Sequence, residues 1–149
     1  MTHSTLENLP SAQSRGWPSA AGFRAAHWGD MEVCLTNVPG PLDCSELYKR
    51  GRCPGGVCPC PHFFYVFEGR IGCVRPESDI ADEIVSAGEV CYFPAGHVLI
   101  YEAASRVLEL NPAAALLDCM DAMERASHSA PLAEGSVADA SSLRRTKPF

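Results

Sequence analysis

The sequence predicts an all-β domain, a sandwich or small barrel, followed by one C-terminal helix. Three observations carry that expectation. Between residues 62 and 110 the chain breaks into short runs rich in β-branched and aromatic residues, separated by turn signals at the spacing of sandwiches and barrels. After Asn111-Pro112 the apolar period changes from two to that of a helix. The length of 149 residues suffices for one hydrophobic core and is too short for two ordinary ones.

Taken in order, residues 1–27 are rich in Ser, Ala, Gly and Pro without a sustained period, and are expected to form a flexible arm that touches the domain near Trp17 and Trp28. Residues 31–38 alternate as a strand, which Pro39-Gly40-Pro41 stops. Residues 42–61 read as one long connection anchored by Leu47 and Tyr48. It carries the basic cluster Lys49-Arg50-Gly51-Arg52 and bends at Gly55-Gly56. That cluster reads as a solvated loop, or as a collector of anions at a barrel mouth.

Strands are expected at 63–67, 69–75, 80–85, 90–93, 98–101 and 106–110, with Pro76-Glu77-Ser78-Asp79 as the plainest turn. Leu116, Met120 and Met123 recur at helical spacing, with Asp118, Asp121 and Glu124 to the other side. An amphipathic helix over 113–126 follows, with Asn111 as its N-cap and Pro112 in its first turn. The domain is therefore 28–126, and the Ser/Ala-rich residues 127–149 are expected to be a disordered tail.

The formal charge is −6, and the twelve basic side chains are scattered rather than gathered into a stripe, which excludes nucleic acid as a partner. No apolar run approaches the roughly 18 residues of a membrane span, and the first fourteen residues lack the basic start and apolar centre of a signal peptide. A cytoplasmic protein is expected, so the eight cysteines are not read as a disulfide framework. Cys34, Cys73, Cys91 and Cys119 stand in apolar surroundings and read as packing residues. Cys44, Cys53, Cys58 and Cys60 stand in or beside a Gly/Pro-rich segment, where packing explains less and pairing on oxidation is open.

The stretch Cys58-Pro59-Cys60-Pro61-His62 sets a candidate ligand at every second position, so an extended chain points all three to one face. Some thirty residues on, Pro94-Ala95-Gly96-His97 offers a further histidine. Thiolate with imidazole suits zinc, copper or iron rather than magnesium or calcium. The candidate metal set is therefore Cys58, Cys60, His62 and His97. Against it, Cys-x-Cys is not the Cys-x2-Cys loop of structural zinc sites. Two other uses stay open: a Cys58 or Cys60 thiolate activated by His62, and hydrogen-bonded structural histidines. Tyr65, Tyr92 and Tyr101 are core or cavity residues on this reading. Glu102 or Glu109 can serve as a base only if it points into the barrel.

The segment Gly88-x5-Pro94-x-Gly96 resembles the start of the second conserved motif of the cupins, small β-barrels of jelly-roll type. Tyr65-Val66-Phe67-Glu68-Gly69-Arg70 resembles the strand and turn that close the first motif. Together with Cys58-x-Cys60-Pro61-His62, the pattern is similar to a group of small bacterial single-domain cupins and covers residues 28–126. The resemblance implies a jelly-roll barrel, a homodimer and a pocket for a metal or small ligand. It names no activity, because cupins include oxygenases, isomerases, decarboxylases, epimerases and sensors.

Counted from Gly69, the family's customary glutamate falls on His62 and its histidines on Cys58 and Gly56. Counted from Gly88, the histidine of the second motif falls on Leu99. The usual three-histidine, one-glutamate set is therefore absent. Two functions remain: a metal-binding cupin with a small-molecule substrate, whether or not an enzyme, or a non-catalytic module that binds a small ligand or senses redox state or metal.

Overall fold

The computed structural model describes residues 3–129. Nine strands and two α-helices follow in order: β1 Phe23–Trp28, β2 Met31–Val38, β3 Leu42–Asp43, α1 Ser45–Arg50, β4 His62–Glu68, β5 Arg70–Val74, β6 Glu83–Ser86, β7 Val90–Phe93, β8 Val98–Tyr101, β9 Ser105–Pro112 and α2 Ala113–His128. The strands form a five-stranded sheet, β1-β2-β9-β4-β7, and a four-stranded sheet, β3-β8-β5-β6.

The pairings are nested and antiparallel: β2 with β9, β3 with β8, β4 with β7, and β5 with β6. Residues 31–112 are thus one long hairpin doubled over on itself. Pairing of β4 with β9 and of β5 with β8 joins its layers into the two sheets. That is the jelly-roll arrangement, the all-β fold with a C-terminal helix that the sequence predicts.

Alternation decides what reaches the interior. In β4 the side chains of His62, Phe64 and Val66 are buried while Phe63 and Tyr65 are exposed; in β9 Ser105, Val107, Glu109 and Asn111 are buried. Period-two strands send every second residue to the core. The polar ends of the two inward rows, His62 with Glu109 and Asn111, therefore meet inside the barrel. At the β4–β5 corner Gly69 has φ +89°, and a Cβ there would stand 2.1 Å from Ser105 Oγ. Only glycine lets that corner close on the start of β9.

Helix α2 buries Ala113, Leu116, Cys119, Met120, Ala122 and Ala126, one stripe at helical spacing, against the barrel and α1. A Cβ on Gly51 would stand 2.3 Å from the Ala122 carbonyl oxygen, so the glycine lets α1 and α2 approach this closely. Arg50 donates to the Ala126 carbonyl at 2.6 Å, and Arg125 to the Gly51 carbonyl at 3.2 Å. Their fit fixes where Cys119 points.

Several expectations are corrected. Within the expected arm over 1–27, Phe23 to His27 lie in β1, which pairs with β2 along its whole length, and Leu9 and Trp17 are buried. The Trp17 indole donates to Asp121 at 2.8 Å, and Arg15 holds the fully buried Glu32 through two hydrogen bonds. A few anchors without a common period do the packing, which is why composition conceals it. The connection over 42–61 contains β3 and α1; of its basic cluster, Lys49 pairs with Glu46 at the surface, Arg50 caps α2 and Arg52 is exposed. Helix α2 begins at Ala113 with Pro112 in the N-cap position, and it runs two residues past 126. Asn111 is buried in β9 and does not cap the helix. The remainder of the expected tail, 130–149, lies outside the described residues. No helix among the described residues is long and apolar enough to cross a membrane.

Candidate functional site

The sequence-predicted residues are brought together at the end of β4, with one exception. Two backbone hydrogen bonds join the loops that carry Cys58 and His97. The Cys58 N–H donates to the His97 carbonyl at 2.7 Å, and the Gly96 N–H donates to the Cys58 carbonyl at 2.8 Å. This bridge brings the cysteine segment and the Pro94-Ala95-Gly96-His97 turn side by side. Cys58 Sγ and one ring nitrogen each of His62 and His97 then lie within 4.8 Å of one another, and all three residues are buried. The two imidazoles meet edge to face with ring centres 5.2 Å apart.

The exception is Cys60. Its thiol turns to the Pro61 carbonyl at 3.2 Å and stands outside the cluster, although the residue is fully buried. Strand β4 starts only at His62, so the alternation that would have put Cys58, Cys60 and His62 on one face does not extend through the two prolines. Burial pushes the Cys60 thiol up, with the charges of Cys58 and Glu109 acting in the same direction, so it stays protonated.

Each histidine is aimed by its Nδ1. The Nδ1–H of His97 donates to the Pro94 carbonyl at 2.6 Å, which leaves Nε2 as the lone-pair nitrogen. That Nε2 is buried with no hydrogen-bond partner. The His62 Nδ1 bonds the Asn111 side-chain oxygen at 2.8 Å, with Glu109 Oε2 behind it at 3.5 Å, while Nε2 faces Cys58 Sγ at 3.3 Å. Asn111 in turn donates to Glu109 at 3.0 Å, and Thr36 donates to the same carboxylate. Glu109 is therefore held by three groups on the inner face of one sheet.

These contacts set the charges. Hydrogen bonding from Cys119, joined by His62, outweighs burial and holds the Cys58 thiol far below the usual range. Burial opposes a charge on His62, but its bonds to Cys58 and Glu109 overcome that and raise its pKa. Glu109 resists burial in the same way and stays below the usual carboxylate range, chiefly through His62. These shifts favour a thiolate on Cys58 and a proton on His62, with the Glu109 carboxylate behind it.

Beside it lies a cavity of about 300 Å³. His62, Glu109 and Thr36 are among its polar lining residues, with Glu124 and Asn37; Tyr48 and Tyr101 also line it, and Leu99 and Met120 are among its apolar walls.

Comparison with known proteins adds little beyond the architecture. No family model matches the chain, and no curated protein matches it. Solved structures do. A Cupin 2 conserved barrel domain protein from Salinispora arenicola is 20% identical over 80% of this chain and 95% of its own, with a TM-score of 0.45. The polyketide cyclase RemF from Streptomyces resistomycificus is 18% identical over 75% and 79%, with a TM-score of 0.44. A cupin-2 domain containing protein from Shewanella frigidimarina is 16% identical over 67% and 88%, with a TM-score of 0.41. Likenesses this distant carry nothing about chemistry; the nested strand pairing decides the architecture.

The fold is a jelly-roll β-barrel.

Under the motif registration from the sequence, the position of the customary first-motif glutamate holds His62, and that of a customary histidine holds Cys58. Leu99, at the second-motif histidine position, is buried in the cavity wall, and His97 two residues earlier reaches the cluster instead. Of the other sequence candidates, Tyr101 and Glu109 point inward, whereas Tyr65 and Tyr92 face outward and Glu102 pairs with Arg70. Glu109 was foreseen only conditionally. Asn111 was read as a cap, and Cys119 as packing, yet its sulfur lies 3.5 Å from that of Cys58. Alternation through β9 carries the signal for Glu109 and Asn111; nothing local carries one for Cys119.

Proposed function

We propose that this chain is a cupin-type protein that binds one transition metal ion, zinc first among the candidates, through Cys58, His62 and His97, beside a pocket for a small molecule. The observation that carries the reading is the aim of the two histidines. Each has its Nδ1 occupied by a fixed oxygen partner; the His62 Nε2 faces Cys58 Sγ, and the His97 Nε2 is buried with no hydrogen-bond partner. Metal-bound histidines characteristically have the other ring nitrogen tied to a carbonyl or carboxylate. The 3.3 Å between His62 Nε2 and Cys58 Sγ is near the separation of two ligands of one tetrahedral zinc, about 3.6 Å apart for bonds of about 2.1 and 2.3 Å. The donor set of one thiolate and two imidazoles excludes the hard cations. Cys60, part of the sequence-predicted set, has no place in this one.

A metal held this way supplies Lewis acidity when bound. The chain's own residues do the rest: Asn111 and Glu109 orient His62, and the cavity selects by size and by its mostly apolar wall. A cytoplasmic homodimer fits the same reading, with the exposed Phe63, Tyr65, Val90 and Tyr92 on the outer face of β4 and β7 as its contact.

A second reading is a non-catalytic module that binds a small ligand or senses metal or redox state. It is favoured by the burial of all three ligands and by a cavity whose lining includes His62 but neither Cys58 nor His97.

Metal analysis of protein purified without added metal tests the proposal, beside Cys58→Ser, His62→Ala, His97→Ala and Cys60→Ser. The expected result is near-stoichiometric metal that the first three variants lose and Cys60→Ser keeps. A folded wild-type protein that carries no metal and takes up no zinc would overturn it.

A further inference from the structure

The residue least explained by the metal reading is Cys119. It sits on the buried stripe of α2, 61 residues from Cys58 in sequence, and the two sulfurs are 3.5 Å apart. Packing alone asks for a small apolar side chain here and gives no reason for two thiols to face each other across an element boundary. Two other buried cysteines near the site point elsewhere: Cys60 to the Pro61 carbonyl, and Cys34 to the Asn111 amide. Cys119 also lines the 300 Å³ cavity, together with His62, so a small oxidant entering the cavity meets that sulfur.

We infer that Cys58 and Cys119 form a reversible redox pair that closes to a disulfide under a hydroperoxide and, in closing, takes Cys58 out of the metal site. The last clause rests on the metal reading above; the pair itself does not. A sulfur–sulfur bond is about 2.05 Å long, so the two atoms must approach by about 1.5 Å, a movement the Cys58 loop and two side-chain rotations can supply.

The chemistry balances in two steps. The Cys119 thiol passes its proton to the Cys58 sulfur 3.5 Å away and attacks the hydroperoxide, the O–O bond breaks, and one oxygen stays on sulfur as a sulfenic acid while the other leaves as water or alcohol with the proton held by His62. The Cys58 sulfur then attacks the Cys119 sulfur and the S–S bond forms. The S–O bond breaks, and the hydroxyl departs as water with the second proton. Two electrons have passed from the two thiols to the peroxide. A disulfide sulfur has no thiolate to offer a metal, so His62 and His97 are left as a two-nitrogen site. An external thiol reverses the step by exchange.

The test uses the full-length chain, fully reduced, in metal-free and zinc-loaded forms, treated with equimolar hydrogen peroxide and then alkylated in denaturant. Expected is a Cys58–Cys119 cross-linked peptide by mass spectrometry in both forms, with the eight free thiols per chain reduced by two and restored by dithiothreitol. In the zinc-loaded form, zinc passes to a chromophoric chelator in step with thiol loss. In Cys119→Ser the same dose leaves zinc in place, and in Cys58→Ser the Cys119 sulfenic acid is trapped by dimedone, a check that does not depend on the first variant's stability. Thiol loss without that peptide, or a cross-link of Cys58 to Cys60 or Cys53 instead, overturns the pair. A cross-link in protein that never takes up zinc keeps the pair and removes the metal reading; zinc uptake without a cross-link does the reverse.

Discussion

Replacing Asn111 with leucine tests how the histidine is aimed. The asparagine oxygen takes the His62 Nδ1–H at 2.8 Å, and its amide donates to Glu109 at 3.0 Å. Leucine keeps the branched shape in a somewhat larger side chain and removes these bonds together with the weak one to Cys34 Sγ. Glu109 Oε2 stands 3.5 Å from the same Nδ1 and can take the hydrogen bond over after a small shift, so the ring loses its aim rather than every partner. Losses of this kind cost about 10- to 100-fold in metal affinity. With Glu109 in reserve the expectation is near the lower end, about tenfold or roughly 1.4 kcal/mol. The metal-free protein should also lose about 1–3 kcal/mol of stability, because the buried Glu109 loses a donor. Zinc competition against a chromophoric chelator reads the first effect, and urea unfolding of the metal-free protein reads the second. Unchanged zinc affinity in a variant that shows the stability loss would refute the reasoning, since the Nδ1 partner would then be structural and not an orienting group.

Two further expectations concern the segment before residue 28. Arg15→Ala strips the bidentate partner from the buried Glu32 and leaves it His27 alone; breaking a buried pair costs about 3–5 kcal/mol, and the remaining histidine puts this case at the low end. Lys49→Ala, which breaks the exposed pair with Glu46, is the control and should cost no more than about 1 kcal/mol in the same denaturant titration. Trp17→Ala removes a buried ring and its bond to Asp121, for about 3–5 kcal/mol, read as a fall in melting temperature. A melting temperature unmoved by that change would return the segment to the status of a loose arm.

The barrel was legible because strands whose faces differ write their period into the sequence. Residues 31–38, 90–93 and 98–101 were placed to the residue, and 80–85 was the least accurate, since only Val85 in β6 is buried there. The corner at Gly69 was legible too, from a glycine that alone can take φ +89° against Ser105. What the sequence hid is tertiary. Cys58, His62 and His97 converge through a two-bond bridge between loops some forty residues apart, which no local pattern encodes. Cys60 misled because extended alternation was assumed through Pro59 and Pro61, which precede the strand. Cys119 and Trp17 act on partners 61 and 104 residues away, and in sequence each is indistinguishable from a packing residue.

X-ray absorption at the zinc edge, on the reduced zinc-loaded full-length protein, bears on the central claim most directly. The account predicts a shell with one sulfur at about 2.3 Å and two imidazole nitrogens at about 2.0–2.1 Å, with the sulfur lost in Cys58→Ser. A shell of nitrogen and oxygen only in the wild-type protein, or one unchanged by Cys58→Ser, would contradict it.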